Sequence, residues 1–292
     1  MLPWVPDLTS LRKTSFFVSP DHCLVLIIIS INCLHYSEEL ASLLEYRLGG
    51  QWKNLIPLLW HNNYDTKETA RIRYIYMDCV TRLVEKNFSK QIGEWCNSHG
   101  VEYIGHVIED NNQHARTSTS LGHYFRGLKY QNMAGIDDIG GQVQPGGEDL
   151  KARTIFGFDN DGEFYHYALG KLGSSLAALN PRMKGRSMCE IFGNYGWAEG
   201  VRLEKYLVDH FCVRGVNTYV PHAFTCKKYP DIDCPPHFFA HGNNPQYRHF
   251  GKLMQYANRL CELLSGGNAA SPVAVLYHGD CEWAGEAMLI IL

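Results

Sequence analysis

The sequence predicts an α/β protein built around parallel strands. Three observations carry that expectation. Short apolar, β-prone runs alternate with helix-type spacing along most of the chain. The helix-type stretches tend to end in glycine, which takes up the backbone conformation that stops a helix. Polar, chemistry-bearing residues gather just after the strand-like runs, at 109–114, 137–138, 190–195 and 222.

Taken in order, the first 45 residues read as an irregular segment carrying one apolar strand, in "HCLVLIIISINCL". Its unbroken apolar run, Cys23 to Ile29, is far short of the roughly 20 residues that span a bilayer. It is expected as a buried strand, although Arg12 and Lys13 ahead of it leave an export signal open. Residues 36–60 mix helical pattern with a loop at Gly49 and Gly50. Residues 66–98 form a helix on the spacing of Ile72, Ile75, Cys79, Leu83, Phe88, Ile92 and Trp95, closed by Gly100. "VEYIGHVI" is a strand, "GHYFRGLKY" a short helix, and "MAGIDDIGGQV" a second strand. A helix over 163–179, the strand "RSMCEIFGNYG", a helix over 198–213 and the strand "GVNTYVPHAF" follow. An amphipathic helix over 245–265, the linker "SGGNAASP" and a fifth strand, "PVAVLYHG", complete the pattern. The domains are therefore drawn at 1–45, 46–266 and 267–292.

Composition narrows the function. The net charge of −3 gives no basic surplus for nucleic acid, and no membrane partner is expected. Ten scattered cysteines without a C-x-x-C pair read as reduced thiols in a cytoplasmic protein. There is no P-loop and no G-x-S-x-G elbow.

The chemistry is concentrated in "EYIGHVIEDNNQHA" and around Glu190. Glu109 and Glu190 each follow an apolar strand, where partial desolvation suits a carboxyl to acid–base or nucleophilic work. Pairing with Arg116, Arg126 or Arg186 is the structural alternative. Asn111, Asn112 and Gln113 could hydrogen-bond sugar hydroxyls, as could His106 and His114. Asp137 and Asp138 could tune the acid, and Glu109, Asp110 and Asp138 together could hold a calcium ion. A metal-dependent hydrolase would instead draw on His106, Glu109, Asp110 and His114. Tyr124, Phe125, Tyr195, Trp197 and Phe224 are candidate aromatic walls, and His222 ends the fourth strand.

The two stretches running from "IGHVIEDNNQH" to "IGGQV" and from "CEIFGNYGW" to "YVPHAF" resemble bacterial glycoside hydrolases with a TIM-barrel catalytic domain. The likeness is above all to the α-L-rhamnosidase-like proteins around glycoside hydrolase family 106. The order of features also resembles the retaining β-galactosidases that carry a flavodoxin-like domain after the barrel, with "SPVAVLYHGDCEWAGEAM" as the start of that domain. This resemblance implies a (β/α)8 barrel, a carbohydrate substrate and no organic cofactor. It implies Glu109 as acid/base and Glu190 as nucleophile or base, with His106, Asn111, Asn112, His114, Asp138, Tyr195, Trp197 and His222 binding substrate. It assigns no resident metal. Residues 1–100 are too few for three further βα units, so the barrel is expected to be incomplete and the chain a fragment. A non-catalytic carbohydrate-binding remnant is the alternative. Oligomeric state is not legible.

Overall fold

The helical spacing of residues 66–98 is realised almost residue for residue. The computed structural model describes residues 35–59, 67–107, 114–116, 120–153 and 159–285. Helices α1 (Glu38–Leu48), α2 (Lys67–Val84), α3 (Lys90–Ser98) and α4 (Tyr124–Gly127) come first. Strand β1 (Ala134–Ile139) and the pair β2 (Lys151–Arg153) and β3 (Asp159–Asp161) follow. Then come α5 (Gly170–Leu179), β4 (Ser187–Gly193), α6 (Val201–Cys212), β5 (Thr218–Pro221), α7 (Tyr247–Leu264) and α8 (Gly279–Ala284). The apolar run at 23–29 lies outside the described residues.

These elements form two compact units. One is drawn from Met1–Val101, Gln113–Tyr130 and Pro272–Leu292, the other from Glu102–Asn112 and Gln131–Ser271. The first is helical. Ser37 caps α1 by accepting the Leu40 N–H at 3.0 Å, which satisfies a donor that the helix itself cannot. α2 passes through one wider, π-type turn at Glu85–Ser89 into α3. Its apolar face, including Ile72, Ile75, Tyr76 and Cys79, packs with Leu40, Leu44, Trp52, Leu59 and Trp283. Trp283 is almost wholly buried, and its indole N–H donates to the carbonyls of Ala115 and Gly122 at 2.9 and 3.0 Å.

Inside this apolar face α2 also carries Asp78. The buried carboxylate meets Arg47 at 3.0 Å, Arg82 at 3.1 Å and Arg126 at 2.8 Å. Burial pushes its pKa up, but hydrogen bonds from Arg47 and Arg82 and the charge of Arg126 outweigh this and hold it below its ordinary value.

The second unit holds the sheet. β1, β4 and β5 are parallel in the order β1–β4–β5. α5 packs on β1 and β4, while α6 packs on β4 and α7. The helices bury the expected stripes: Glu204, Leu207, Val208 and Phe211 on α6, and Phe250, Leu253 and Ala257 on α7. The "RGVN" turn has a definite structural task. Gly215 adopts φ +94° just past α6. The Asn217 side chain then accepts the Ser187 N–H at 2.9 Å and donates to the Gly185 carbonyl at 3.0 Å, joining the starts of β4 and β5.

Helix alternating with parallel strand is therefore the architecture, as expected. Three parallel strands stand among the described residues, so a complete eight-stranded barrel is not formed by them. Two expected strands are corrected. Residues 101–107 make no regular ladder; they lie against the start of β1, so close that a Cβ on Gly135 would come within 1.8 Å of the Gly105 carbonyl oxygen. Tyr103 and Asn132 exchange hydrogen bonds there instead. Residues 272–279 are not a strand either: Val273, Val275 and Leu276 are exposed, and the segment leads into α8. Apolar alternation had no neighbouring strand to pair with there, and a strand without a partner forfeits its backbone hydrogen bonds. The antiparallel pair β2–β3 was not foreseen. No helix among the described residues is long and apolar enough to cross a membrane. None of the eight described cysteines is in a disulfide; Cys79, Cys96 and Cys189 are buried as expected, whereas Cys226 and Cys281 are exposed.

Replacing Asp78 by Ala strands three arginines around a hole and is expected to destabilise the helical unit by about 3–5 kcal/mol, read by urea unfolding at pH 7. Because the folded pKa is depressed, Asp78's contribution is present above its unfolded value of 3.8 and is lost as pH falls through the folded value. The gap between Asp78→Ala and wild type should therefore close under acid.

Candidate active site

The parallel register places Asp137 on β1 directly beside Glu190 on β4. Side chains of register partners in a sheet project from the same face. Two carboxylates are thus delivered to one spot near the middle of neighbouring strands, so Glu190 stands at the centre of β4 and not, as expected, at a strand end. The register slips just beyond them, with Ile139 opposite Gly193 rather than Phe192. Phe192 takes φ +82° at this bulge and is fully buried against Phe238. A bulge of this kind bends a strand and re-aims its neighbours.

His106 completes the cluster from the segment lying against β1. Its Nδ1 is 2.8 Å from the Val107 carbonyl oxygen, and its Nε2 is 3.1 Å from Glu190 Oε2. A carbonyl only accepts, so Nδ1 carries a proton. With Nδ1 so engaged, Nε2 is the ring nitrogen that faces Glu190. The Glu190 side chain is 15% exposed. Burial pushes its pKa up, while the hydrogen bond and charge of His106 and the charge of His222 overcome that and hold it below the usual glutamate value. One ligand atom each from His106, Asp137 and Glu190 lies within 4.8 Å of the other two.

Two loops border this cluster. Asn194 and Gly196, after β4, donate backbone N–H groups to the carbonyls of Cys234 at 3.4 Å and Pro235 at 2.9 Å. Burial raises the Cys234 thiol pKa, and the negative charges of Asp233, Asp137 and Glu190 raise it further, which ties this loop electrostatically to the carboxylate pair. Trp197 stands on the first loop, 44% exposed, edge-on to Tyr229 and His237.

The sequence-predicted residues divide clearly. Glu109, Asp110, Asn111, Asn112 and Gln113 lie outside the described residues. His106 and Glu190 are brought together. His222 follows β5; its N–H donates to the Ile191 carbonyl at 2.9 Å, and its charge acts on Glu190. Trp197 is on the bordering loop. Asp138 and Tyr195 form a buried pair of their own. The Tyr195 hydroxyl donates to Asp138 at 2.9 Å and accepts the Val143 N–H at 3.2 Å, so both serve as packing and anchoring groups. His114 belongs to the helical unit, where Nδ1 is 2.7 Å from the Tyr277 hydroxyl and burial lowers its pKa to about 4. Of the quartet His106, Glu109, Asp110 and His114, the two acids lie outside the described residues. Of the arginines weighed as partners for Glu190, Arg186 holds Glu102 at 2.7 Å and Arg126 holds Asp78 at 2.8 Å. Tyr124 and Phe125 belong to the helical unit.

Sequence reasoning missed Glu199. It follows Trp197 in the loop before α6, and both carboxyl oxygens are buried without a hydrogen-bond partner. Burial, then the charges of Glu204 and Asp138, raise its pKa to about 9. Burial alone raises Glu204 to about 7. A glutamate in "GWAEG" has no sequence signal that separates it from a solvated loop acid.

No family model matches the chain. Comparison with curated proteins and with solved structures finds no match either.

A raised carboxyl pKa stabilises the fold fully below the unfolded value of 4.5, and that contribution is lost as pH rises towards about 9. Glu199→Gln is therefore expected to leave thermal stability unchanged at pH 4 and to raise it at pH 8. The gain should be roughly 1–3 kcal/mol, or several degrees in Tm for a protein of this size. Equal Tm changes at both pH values would contradict the assignment.

Proposed function

We propose that this chain is a glycoside hydrolase in which Glu190 is the nucleophile or base. One observation carries the reading: a largely buried carboxylate on a parallel strand lies 3.1 Å from His106, whose hydrogen bond and charge hold its pKa below the ordinary glutamate value. Glycosidic cleavage needs one carboxylate in its charged form, as nucleophile or base, opposite a protonated acid. Glu109 is the proposed acid. It would protonate the leaving oxygen while Glu190 attacks the anomeric carbon or activates water. Asp137 adds negative charge beside Glu190, and this favours the cationic character that develops on the sugar in the transition state.

The surroundings support a carbohydrate. Trp197 and Tyr229 keep part of their ring surface exposed beside the site, and flat aromatic faces suit the apolar faces of sugar rings. The alternation of helices with a parallel sheet supports a partial (β/α) barrel. By resemblance, α-L-rhamnosidase-like or β-galactosidase-like specificity is proposed, with no organic cofactor.

Hydrolysis of a panel of nitrophenyl glycosides tests this. Wild type is expected to cleave at least one member. Glu190→Gln and Glu109→Gln should each lower kcat by about 10³-fold or more. Azide added to Glu190→Gly should restore turnover and yield a glycosyl azide if Glu190 is the nucleophile. A folded wild type that binds sugars but cleaves none would establish the carbohydrate-binding remnant instead.

A further inference from the structure

We propose that His106, Asp137 and Glu190 also form a binding site for a divalent transition-metal ion, of which zinc is the best fit, and that occupancy shuts the proposed hydrolase. The inhibitory half rests on the glycosidase reading; the binding half does not.

The donor set comes first. It contains one imidazole nitrogen and two carboxylates, with one ligand atom of each within 4.8 Å of the other two. A tetrahedral zinc ion with bonds of about 2.0–2.2 Å holds its ligands roughly 3.4 Å apart. His106 Nε2 and Glu190 Oε2 already stand at 3.1 Å, so small side-chain rotations bring the third donor in. An imidazole among the donors favours zinc over calcium or magnesium, which take oxygen.

The framework is equally suited. Asp137 and Glu190 are register partners on adjacent parallel strands, so the backbone sets their spacing. His106 presents Nε2 because Nδ1 is bound to the Val107 carbonyl at 2.8 Å. Metal-binding histidines almost always carry a hydrogen bond of this kind on the other ring nitrogen, which fixes the tautomer and the ring plane. His106 and Asp137 are buried and Glu190 keeps a small exposed edge, leaving a way in from one side.

Charge gives the reason for binding. Two carboxylates share this spot with one histidine. A divalent ion held between Nε2 and the carboxylates would neutralise both acids. The same act would occupy the Glu190 lone pair that attack on a sugar requires. Zinc and substrate therefore compete.

Titration calorimetry of the chelator-treated full chain with zinc chloride at neutral pH tests the site, beside His106→Ala, the isosteric Asp137→Asn and, as a control, His249→Ala on the exposed start of α7. Circular dichroism checks that each variant is folded. Wild type and His249→Ala are expected to bind one more zinc than either site variant. Cobalt in the same site should give visible d–d bands without a thiolate charge-transfer band, which separates it from any cysteine site. Equal stoichiometry in wild type and a folded Asp137→Asn would overturn the proposal, as would a cobalt spectrum of thiolate character that the variants leave unchanged. Where a glycoside is cleaved, zinc should inhibit with a midpoint equal to its Kd at substrate well below KM and rising with substrate concentration, and full activity with the site occupied would overturn the inhibitory half. Where none is cleaved but the stoichiometry falls in both variants, the metal site stands and the glycosidase reading fails.

Discussion

Asp137 and Glu190 are neighbours by strand register, and that pairing forces two negative groups onto one place in a largely buried setting. Like charges so placed are costly unless something positive is brought to them. The local structure follows from this constraint. The 102–107 segment is drawn in against β1, where only glycine at 135 allows so close an approach. It delivers His106, whose outer nitrogen is tied to the backbone and whose inner nitrogen faces Glu190. The bulge after Glu190 then turns the chain into the loop that is hydrogen-bonded to Cys234 and Pro235.

The chain solves the problem of a buried acid in three different ways. Asp78 is surrounded by three arginines, which never lose their charge, and nothing is left for chemistry. Glu199 has no partner and is kept neutral by burial. Glu190 stands against a histidine, whose hydrogen bond and charge hold its pKa below the ordinary value. An acid whose counter-charge is a histidine is reversible near neutral pH, and a proton, a sugar cation or a metal ion can each take the same position. That difference in partner, more than the presence of acids, separates the candidate site from the structural ones.

Much of the fold was legible. Helices with a clear apolar stripe, such as 67–98 and 247–264, were readable because periodicity is a local property. β1, β4 and β5 were readable because each is a short apolar run bounded by glycine or polar residues. The runs at 101–107 and 272–279 looked the same, but the first lies against β1 without a regular ladder and the second is exposed, and no local pattern reports either outcome. The site was readable in part. His106, Glu190 and His222 could be picked out as polar groups at the ends of apolar runs. Asp138 and Tyr195 carried the same signature yet spend it on each other, and His114 spends it on Tyr277.

The sequence by itself determined the α/β class, the parallel order and a shortlist of strand-end groups, because these depend on spacing along one segment. Which members of the shortlist meet depends on separations of 31 positions between His106 and Asp137 (137 − 106) and 53 between Asp137 and Glu190 (190 − 137). Only the tertiary structure settles those, through strand register and the packing of the 102–107 segment. It decided that Asp137 rather than Asp138 faces Glu190, because adjacent residues of a strand point to opposite faces. It decided that a histidine stands against that glutamate, because the 102–107 segment lies close against β1 at Gly105 and Gly135 and carries His106 to it.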